Sequence, residues 1–253
     1  MKKYLLQLSF CLFFVSVLSS NGQVVKSGEK LIYAGSYNMS GLMTQLAQVT
    51  LSTENVNTSK NNYLHLTCEL STYSKWDTFF KIRDLYESYV NPISFKTSLY
   101  KRNILEGNYT KKEKYVFKGN SISSTSKIMK RPETQKTFTI GSSTVDAVSL
   151  IYQLRTVDFS KLSIGQSKNF IVVFDEKEYP VTLKYMGKET INAGNLGKKE
   201  CYKISISAKT DALKGKDKNI LWLTADDKKI PALIRFSIPV GTGQLTLSSA
   251  SGL

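Results

Sequence analysis

The sequence predicts a mainly β fold, built as a single antiparallel β-barrel or a strongly curved sheet with one packed α-helix. Apolar and polar residues alternate with a period of two along most of the chain, which is typical of strands with one buried face. Residues that favour turns, chiefly glycine, asparagine and proline, separate these segments at short intervals. One segment departs from this pattern and has the apolar spacing of a helix.

Seven strands are predicted before the helix. Proline cannot donate a ladder hydrogen bond, so Pro92 ends one of them, and Glu106, Gly107 and Asn108 form a tight reversal between two others. The residues between 55 and 62 are polar and turn-like, and residues 74–80 are compatible with a short helical turn. The predicted strands are 29–38, 43–54, 62–71, 81–90, 95–105, 109–118 and 121–130.

The helix is predicted over about residues 144–155. Its apolar residues recur at helical spacing, at positions 145, 148, 151, 152 and 154. Ser143 is a suitable N-cap, and Asp146 then lies near the positive end of the helix. Such a helix would cover an open sheet face or plug a barrel end.

Strands resume after the helix and complete a β-rich domain. Residues 192–197 are rich in glycine and asparagine and predict a hairpin loop. Many short strands joined by turns, with one helix, indicate one antiparallel sheet. The predicted strands are 170–174, 181–186, 201–208, 220–224, 232–238 and 244–248.

The first 22 residues have the composition of a secretory signal peptide. Lys2 and Lys3 precede an apolar block of roughly a dozen residues, which small and polar residues follow. We therefore expect a signal peptide at 1–22, a single β-rich domain at 23–253, and export to the periplasm or cell surface of a Gram-negative bacterium. Cys11 raises lipid anchoring as an alternative, but Phe10 precedes it and the apolar run continues beyond it. No later segment is apolar for long enough to form a transmembrane helix.

The chain is strongly basic, with a formal net charge of +15. Outside the cytoplasm such a charge points away from nucleic acid and towards lipid, lipopolysaccharide or polysaccharide. The alternative is that the lysines solvate strands and protect sheet edges, since they are spread along the chain. They cluster only at 111–114, 198–199 and 214–218.

Residues for catalysis or metal binding are scarce, and no enzyme activity, cofactor or metal is expected. His65 is the only histidine, so any triad would have to pass through it. Cys68 and Cys201 could pair in an oxidising compartment, although alternation places Cys68 on an apolar face and Cys201 on a polar one. A pair of carboxylates could still build a glycan hydrolase, but no spacing singles out such a pair.

The stretch from 81 to 118 contains the candidate binding residues. Arginine is rare in this chain, yet two arginines occur here among tyrosines, and charges fall on both faces of paired strands. Arginine beside tyrosine suits recognition of phosphate, carboxylate or sugar. The alternatives are a hairpin with both faces in water or a structural ion-pair network. The candidate ligand-binding residues are Arg83, Tyr86, Tyr89, Tyr100 and Arg102.

Five motifs in the chain resemble those of one known family. Residues 83–89 (RDLYESY) look like its central signature, and 28–33 (GEKLIY) like its opening strand. Residues 106–109, 154–159 and 183–189 continue in matching order. The family is the exported bacterial domain of unknown function 3108, and the chain resembles a Bacteroidetes-type member. The resemblance covers most of the chain after the leader. It implies an exported β-rich protein with no established catalysis, and leaves the function open.

The leading functional hypothesis is a non-enzymatic envelope protein that binds an anionic or amphiphilic ligand, such as lipid or polysaccharide. In this hypothesis the arginines bind the negatively charged group of the ligand, and the tyrosines stack on the ligand or form hydrogen bonds with it. The second hypothesis is a structural protein–protein interaction module of the envelope, which adds a strand to a partner at an open sheet edge. The third is the carboxylate-pair glycan hydrolase.

Overall fold

The computed structural model describes residues 24–39, 41–208, 219–238 and 241–253. The predicted leader, the alternative anchor Cys11 and the lysine cluster at 214–218 lie outside the described residues. The strands are β1 (Lys30–Met39), β2 (Leu42–Asn57), β3 (Asn62–Thr72), β4 (Arg83–Val90), β5 (Thr97–Glu106), β6 (Tyr109–Lys118), β7 (Ser121–Ile128), β8 (Thr134–Thr139), β9 (Thr144–Asp146), β10 (Ser167–Phe174), β11 (Lys177–Asn192), β12 (Lys198–Ala208), β13 (Asn219–Thr224), β14 (Pro231–Ile238) and β15 (Gly241–Ser251).

Helical structure is minor. The helices are α1 (Ser74–Asp77) and α2 (Ala147–Leu154), with short 3-10 helices at Phe159–Lys161 and Gly194–Leu196. No helix in the described ranges is long and apolar enough to cross a membrane. The predicted mainly β fold with one packed helix is confirmed, whereas β8 and β9 were not predicted as strands.

All the strands of the described residues belong to one sheet, in the order β8-β7-β6-β5-β4-β3-β2-β1-β15-β14-β13-β12-β11-β10-β9. Neighbours are antiparallel except β9 and β10, which are parallel. The chain therefore builds the sheet outward from β1 to β8, crosses to the other edge, and returns from β9 to β15 beside β1.

The connection between the two edge strands requires the sheet to curl. Thr139 ends β8 and Thr144 begins β9, so at most about 19 Å separates their Cα atoms, at about 3.8 Å per step. The sheet thus forms an unclosed, barrel-like trough whose two edges lie near each other. This geometry resolves the choice between barrel and curved sheet in favour of a strongly curved open sheet.

Because neighbouring strands are antiparallel, their connections alternate between the two ends of the trough. One end, which we call the open end, carries the β1–β2 turn, α1 and the β10–β11 turn. The other end, which we call the closed end, carries the β2–β3, β4–β5 and β13–β14 connections.

Helix α2 crosses the interior and finishes at the closed end. Its N-cap is Asp146, whose carboxylate accepts hydrogen bonds from the backbone N–H of Val148 and Ser149 at 2.8 and 2.9 Å. The predicted N-cap, Ser143, is wrong, because residues 144–146 form the short parallel strand β9 before the helix begins. The second carboxylate oxygen of Asp146 accepts from the hydroxyls of Ser88 and Thr97, which fastens α2 to β4 and β5.

A buried ion pair seals the closed end below α2. Arg155 follows the helix and donates to both carboxylate oxygens of Glu29, at 2.6 and 2.7 Å. Its guanidinium also donates to the backbone carbonyls of Val24 and Lys228. Both charged side chains are almost completely buried. A buried charge is tolerated only when it is paired and hydrogen-bonded, and these contacts satisfy that condition.

Cys68 and Cys201 are both free thiols. Burial raises the pKa of Cys68 to about 12 and that of Cys201 to about 11. Cys201 lies on the convex face as alternation predicts, but the expected polar surroundings are wrong, since it is fully buried in a cluster that includes Ala193 and, packed against it, Leu196. These two residues belong to the β11–β12 connection, which covers this part of the convex face.

Candidate functional site

The concave face of the trough contains two apolar cavities. The first, which we call the α2 cavity, has a volume of about 660 Å³ and lies between α2 and strands β10–β14. The second, which we call the α1 cavity, has a volume of about 730 Å³ and lies against β1–β4, β15 and the α1 segment. Both volumes fall in the range of about 300–1,000 Å³ that is usual for small-molecule sites. Phe236 of β14 lines both cavities, so they are neighbours along the trough.

The strand registers explain why the walls are apolar. On β1 to β3, side chains such as Val49 and Leu70 are directly paired across neighbouring strands, so alternation turns them to the same face. On β12 and β13 the same alternation aligns Ile204 with Leu221. Side chains of α2, including Leu150 and Leu154, close the far wall of the α2 cavity.

The α1 cavity has aromatic residues at its mouth. Trp76, Phe79 and Phe80 line it, and all three come from the connection between β3 and β4. The backbone N–H of Tyr73 and the indole N–H of Trp76 donate at 2.9 Å to the carbonyls of Leu46 and Gln45. The connection is thereby fastened to the start of β2, at the open end.

One polar group of the α2 cavity is unpartnered among the described residues. Asn219 is buried and lines this cavity, and its side-chain nitrogen has no hydrogen-bond partner there. Its side-chain oxygen accepts from the backbone N–H of Ser237 at 2.9 Å. A buried donor without an acceptor is costly, so an acceptor on a ligand would satisfy it.

A carboxyl group with a shifted pKa lies beside the α1 cavity. Asp84 is buried on the concave face of β4, and burial raises its pKa to about 6, although the backbone N–H of Leu105 donates to it. The nearby Glu106 also raises this pKa. Asp84 is therefore a mixture of neutral and ionised forms near pH 6.

The structure does not bring the five predicted ligand-binding residues to one groove. Because side chains alternate along a strand, Tyr86, Tyr100 and Arg102 face the concave side, whereas Arg83 and Tyr89 face the convex side. Of the five, only Tyr86 lines one of the two cavities, the α1 cavity. A role of these side chains in ligand binding remains a prediction, but one groove lined by all five does not exist in this fold.

Arg102 lies in an ion-pair network whose other members are the buried Lys111 and Glu113 and the half-exposed Asp175. Its guanidinium donates to Glu113 at 2.6 Å and to Asp175, and Lys111 lies 2.9 Å from Glu113 and 2.6 Å from Asp175. The guanidinium also stacks over the ring of Phe174, at 4.2 Å from its centroid. The network was one of the alternatives for this stretch, and it joins β5 and β6 to the distant β10–β11 turn.

The β10–β11 turn is shaped by these contacts. Asp175 and Glu176 both have positive φ, 48° and 59°, which is unfavourable for residues other than glycine. Glu176 accepts from Ser124 at 2.8 Å and its backbone N–H donates to the Tyr115 hydroxyl at 2.8 Å. Burial by itself would raise the pKa of Asp175, but Lys111 and Arg102 hold it below the usual range. The turn therefore stays docked on the concave face at neutral pH.

The other predicted residues have structural neighbours. Tyr100 is completely buried and its ring lies 5.6 Å from that of Tyr115. On the convex face, Tyr89 stacks on His65 at 4.2 Å. Arg83 pairs with Asp77 of α1 at 2.6 Å, at the open end.

The His65 side chain contacts a carboxylate and a ring on the convex face, 3.1 Å from Glu87. The described residues contain no group of three or more His, Cys, Asp or Glu side chains that could hold a metal ion. Asp146 accepts from three hydroxyls and two backbone N–H groups, which accounts for its burial as an anchor of α2.

Sequence reasoning missed the two cavities. Alternation predicts which residues face inward, but only the tertiary packing shows that space remains between them. The adjacent pair Phe79 and Phe80, three residues after Trp76 and between Lys75 and Lys81, is visible in the sequence, and both side chains are exposed.

A curled, unclosed β-sheet with an apolar concave interior defines this chain as a barrel-like β protein. It belongs to the DUF3108 family of proteins of unknown function, whose sequence model matches residues 33–248. The predicted family is confirmed. The sequence matches no curated protein.

Solved structures match this chain at very low sequence identity. A β-barrel-like protein of the domain of unknown function DUF1849 from Brucella abortus is 9% identical, with a TM-score of 0.56 over 88% of this chain and 96% of that chain. A Bacteroides fragilis protein described as exported, with a YmcC-like fold, is 6% identical over 89% and 96%, with a TM-score of 0.35. A Parabacteroides distasonis protein described as a lipoprotein is 8% identical over the same shares, with a TM-score of 0.36.

Proposed function

We propose that this is an exported, non-enzymatic envelope protein that holds the acyl chain of an amphiphilic ligand in its concave cavities. The observation that carries the proposal is the pair of neighbouring apolar cavities that share Phe236. Their walls are mainly aliphatic and aromatic, and burying a methylene group in such a wall contributes about 0.8 kcal/mol.

The chemistry of the walls favours lipid over polysaccharide. A sugar presents many hydroxyls, and a site for it needs a matching set of polar partners. Polar side chains are few in both cavities, with Asn219 as the unpartnered donor of the α2 cavity. An ester or carboxylate oxygen of a lipid could accept from it, and the net charge of +15 would attract an anionic headgroup.

A fluorescent fatty acid, 11-(dansylamino)undecanoic acid, tests the proposal on the protein purified from its own envelope and stripped of lipid by organic extraction. Ala47→Phe fills the α1 cavity and Ala208→Phe the α2 cavity, because both alanines line them. We expect saturable binding by the unaltered protein and at least a tenfold loss of affinity when both changes are combined.

The controls place the same side chain on the other face of the same strands. Gln48 and Ser207 neighbour the two alanines and point to the convex side, so Gln48→Phe and Ser207→Phe should bind like the unaltered protein. Absence of probe binding, or equal binding by all four variants, would contradict the proposal. Native mass spectrometry before extraction identifies the natural ligand class by its mass.

The alternative, a strand-addition module, is supported by edge strand β8. This strand pairs with β7 on one side, and most of its side chains are exposed. A partner strand could add to its other side. Thr137→Pro would block such pairing. If an envelope protein co-purifies with the unaltered chain and is lost from this variant, while dansyl binding is absent, the module is the better description.

A further inference from the structure

Large apolar side chains are exposed around the open end of the trough. Phe79 and Leu42 are 79% and 74% exposed, and Phe80 and Met43 are also well exposed. Soluble proteins usually bury side chains of this size, and a contiguous exposed group of them marks an interaction site. We call these four residues, together with Trp76, the apolar rim.

The two segments that carry the rim are hydrogen-bonded to each other. Leu42 and Met43 begin β2, while the aromatic residues follow β3. The indole N–H of Trp76 donates to the carbonyl of Gln45, which holds the aromatic segment against the first residues of β2.

The backbone of Gly107 lies close to the Phe80 ring and helps to fix its position. A Cβ atom on Gly107 would lie 3.1 Å from the Phe80 ring, and Gly107 has a φ of 58°. The backbone N–H of Gly107 donates to the Lys81 carbonyl at 2.8 Å. Glycine at this turn therefore lets the β5–β6 hairpin support the rim from the other side.

The aromatic part of the rim lies at the mouth of a cavity. Trp76, Phe79 and Phe80 line the α1 cavity, and Phe79 and Phe80 are at the same time exposed to solvent. A surface that the rim contacts would therefore face directly into the cavity.

The charges beside the rim are positive. Lys75 and Lys81 are exposed and flank the aromatic residues in the sequence. The Lys75 ammonium lies 5.7 Å from the centroid of the Trp76 ring. The one carboxylate of this segment, Asp77, is paired with Arg83 at 2.6 Å, so it does not offset the lysines.

We propose that the apolar rim docks the open end onto an anionic lipid bilayer. Tryptophan prefers the membrane interface, phenylalanine and leucine insert among the acyl chains, and lysines attract anionic headgroups. This combination matches a lipid surface, since a lipid surface is both apolar at shallow depth and negatively charged. The docking rests on the rim alone, and together with the proposed acyl-chain cavity it brings the cavity mouth to the source of its ligand.

Sedimentation with vesicles tests the docking. We expect the protein to bind phosphatidylcholine vesicles that contain phosphatidylglycerol, and to bind pure phosphatidylcholine at least tenfold more weakly. Phe79→Ser combined with Phe80→Ser should lower binding to the mixed vesicles at least tenfold. Lys75→Ala combined with Lys81→Ala should reduce the preference for phosphatidylglycerol.

The matched control changes apolar residues at the closed end. Ile93 and Ile164 are 90% and 73% exposed and lie in connections at that end, so Ile93→Ser with Ile164→Ser should leave vesicle binding unchanged. Brominated acyl chains should quench Trp76, whereas the other tryptophan, Trp222, is buried. Thermal melts confirm that each variant is folded.

Three outcomes would overturn the docking. One is the absence of binding to either vesicle; another is equal binding by the phenylalanine and isoleucine variants. The third is a dimer in lipid-free solution that the phenylalanine changes dissociate, which would make a second copy of the chain the occupant of the rim. Dansyl-fatty-acid binding in solution is measured separately, so failure of docking and failure of the proposed function are distinguishable.

Discussion

The interior of the trough is filled at one end and left open at the other. At the closed end, α2 plugs the interior, and the buried pair of Arg155 and Glu29 satisfies the polar groups that the plug brings together. At the open end, Phe79 and Leu42 remain in solvent beside a cavity of about 730 Å³. We therefore expect the closed end to contribute more to stability, and we propose that ligand and membrane bind at the open end.

The largest expected effect on stability comes from removing the buried ion pair at the closed end. Arg155→Ala leaves Glu29 buried without its partner, and we expect the free energy of unfolding to fall by about 3–5 kcal/mol. Urea denaturation followed by circular dichroism measures it. The matched change at the open end is Arg83→Ala, whose half-exposed pair with Asp77 should contribute only about 0–1 kcal/mol. Equal losses from the two variants would mean that the ends do not differ in this way.

The anchor of α2 should have the next largest effect. Asp146→Ala removes the N-cap and the acceptor of the Ser88 and Thr97 hydroxyls, so the protein should lose about 2–4 kcal/mol. Asp146→Asn keeps a capping oxygen and should lose less. Differential scanning calorimetry compares the two. If the alanine variant has the same melting temperature as the unaltered protein, α2 is held by apolar packing alone.

A smaller effect of opposite sign is expected for Asp84, beside the open cavity. Its pKa in the folded protein, about 6, lies above its value in the unfolded chain, so the folded state binds the proton more tightly. Its contribution is fully present below about pH 4 and is lost as the pH rises through 6. Asp84→Asn mimics the neutral form and should stabilise the protein at pH 8 but not at pH 4.

One pKa unit corresponds to about 1.4 kcal/mol, so the raised pKa of Asp84 sets the gain at about 1–3 kcal/mol. Urea titrations at pH 4, 6 and 8 measure the difference between the variant and the unaltered protein. A difference that does not change with pH would show that Asp84 is already neutral or already ionised throughout.

The smallest effect on stability is expected at the rim itself. Phe79→Ser changes a side chain that is mostly in solvent, so the free energy of unfolding should change by no more than about 0.5 kcal/mol. A large loss would make Phe79 part of the core, and the contrast between the two ends would then be weaker than proposed.

The strands were the most predictable part of the fold. Alternation along residues 62–71 predicts β3 at Asn62–Thr72, because a strand with one buried face imposes a period of two. Strand β9 could not be predicted, since three residues are too few to show a period of two. They adjoin residues with helical spacing, so the sequence pattern assigns them to the helix. This error also displaced the N-cap from Asp146 to Ser143.

The candidate site was predictable only in part. The stretch from 81 to 118 was rightly seen to place charges on both faces of its strands. That Arg102 finds its partner in Asp175, 73 residues away, depends on the curl of the sheet. A local sequence pattern cannot predict this contact, because the two residues come together only when the sheet curls.

Local periodicity and motifs were enough to predict the fold class, the family and most of the side chains that face inward. The tertiary structure decided which inward-facing regions are filled. Docking of the β10–β11 turn fills the trough under β5–β8, whereas residual space remains under β1–β4 and β10–β14. Packing is a property of many side chains from distant strands at once, so the cavities and their open rim arise only when the sheet has curled.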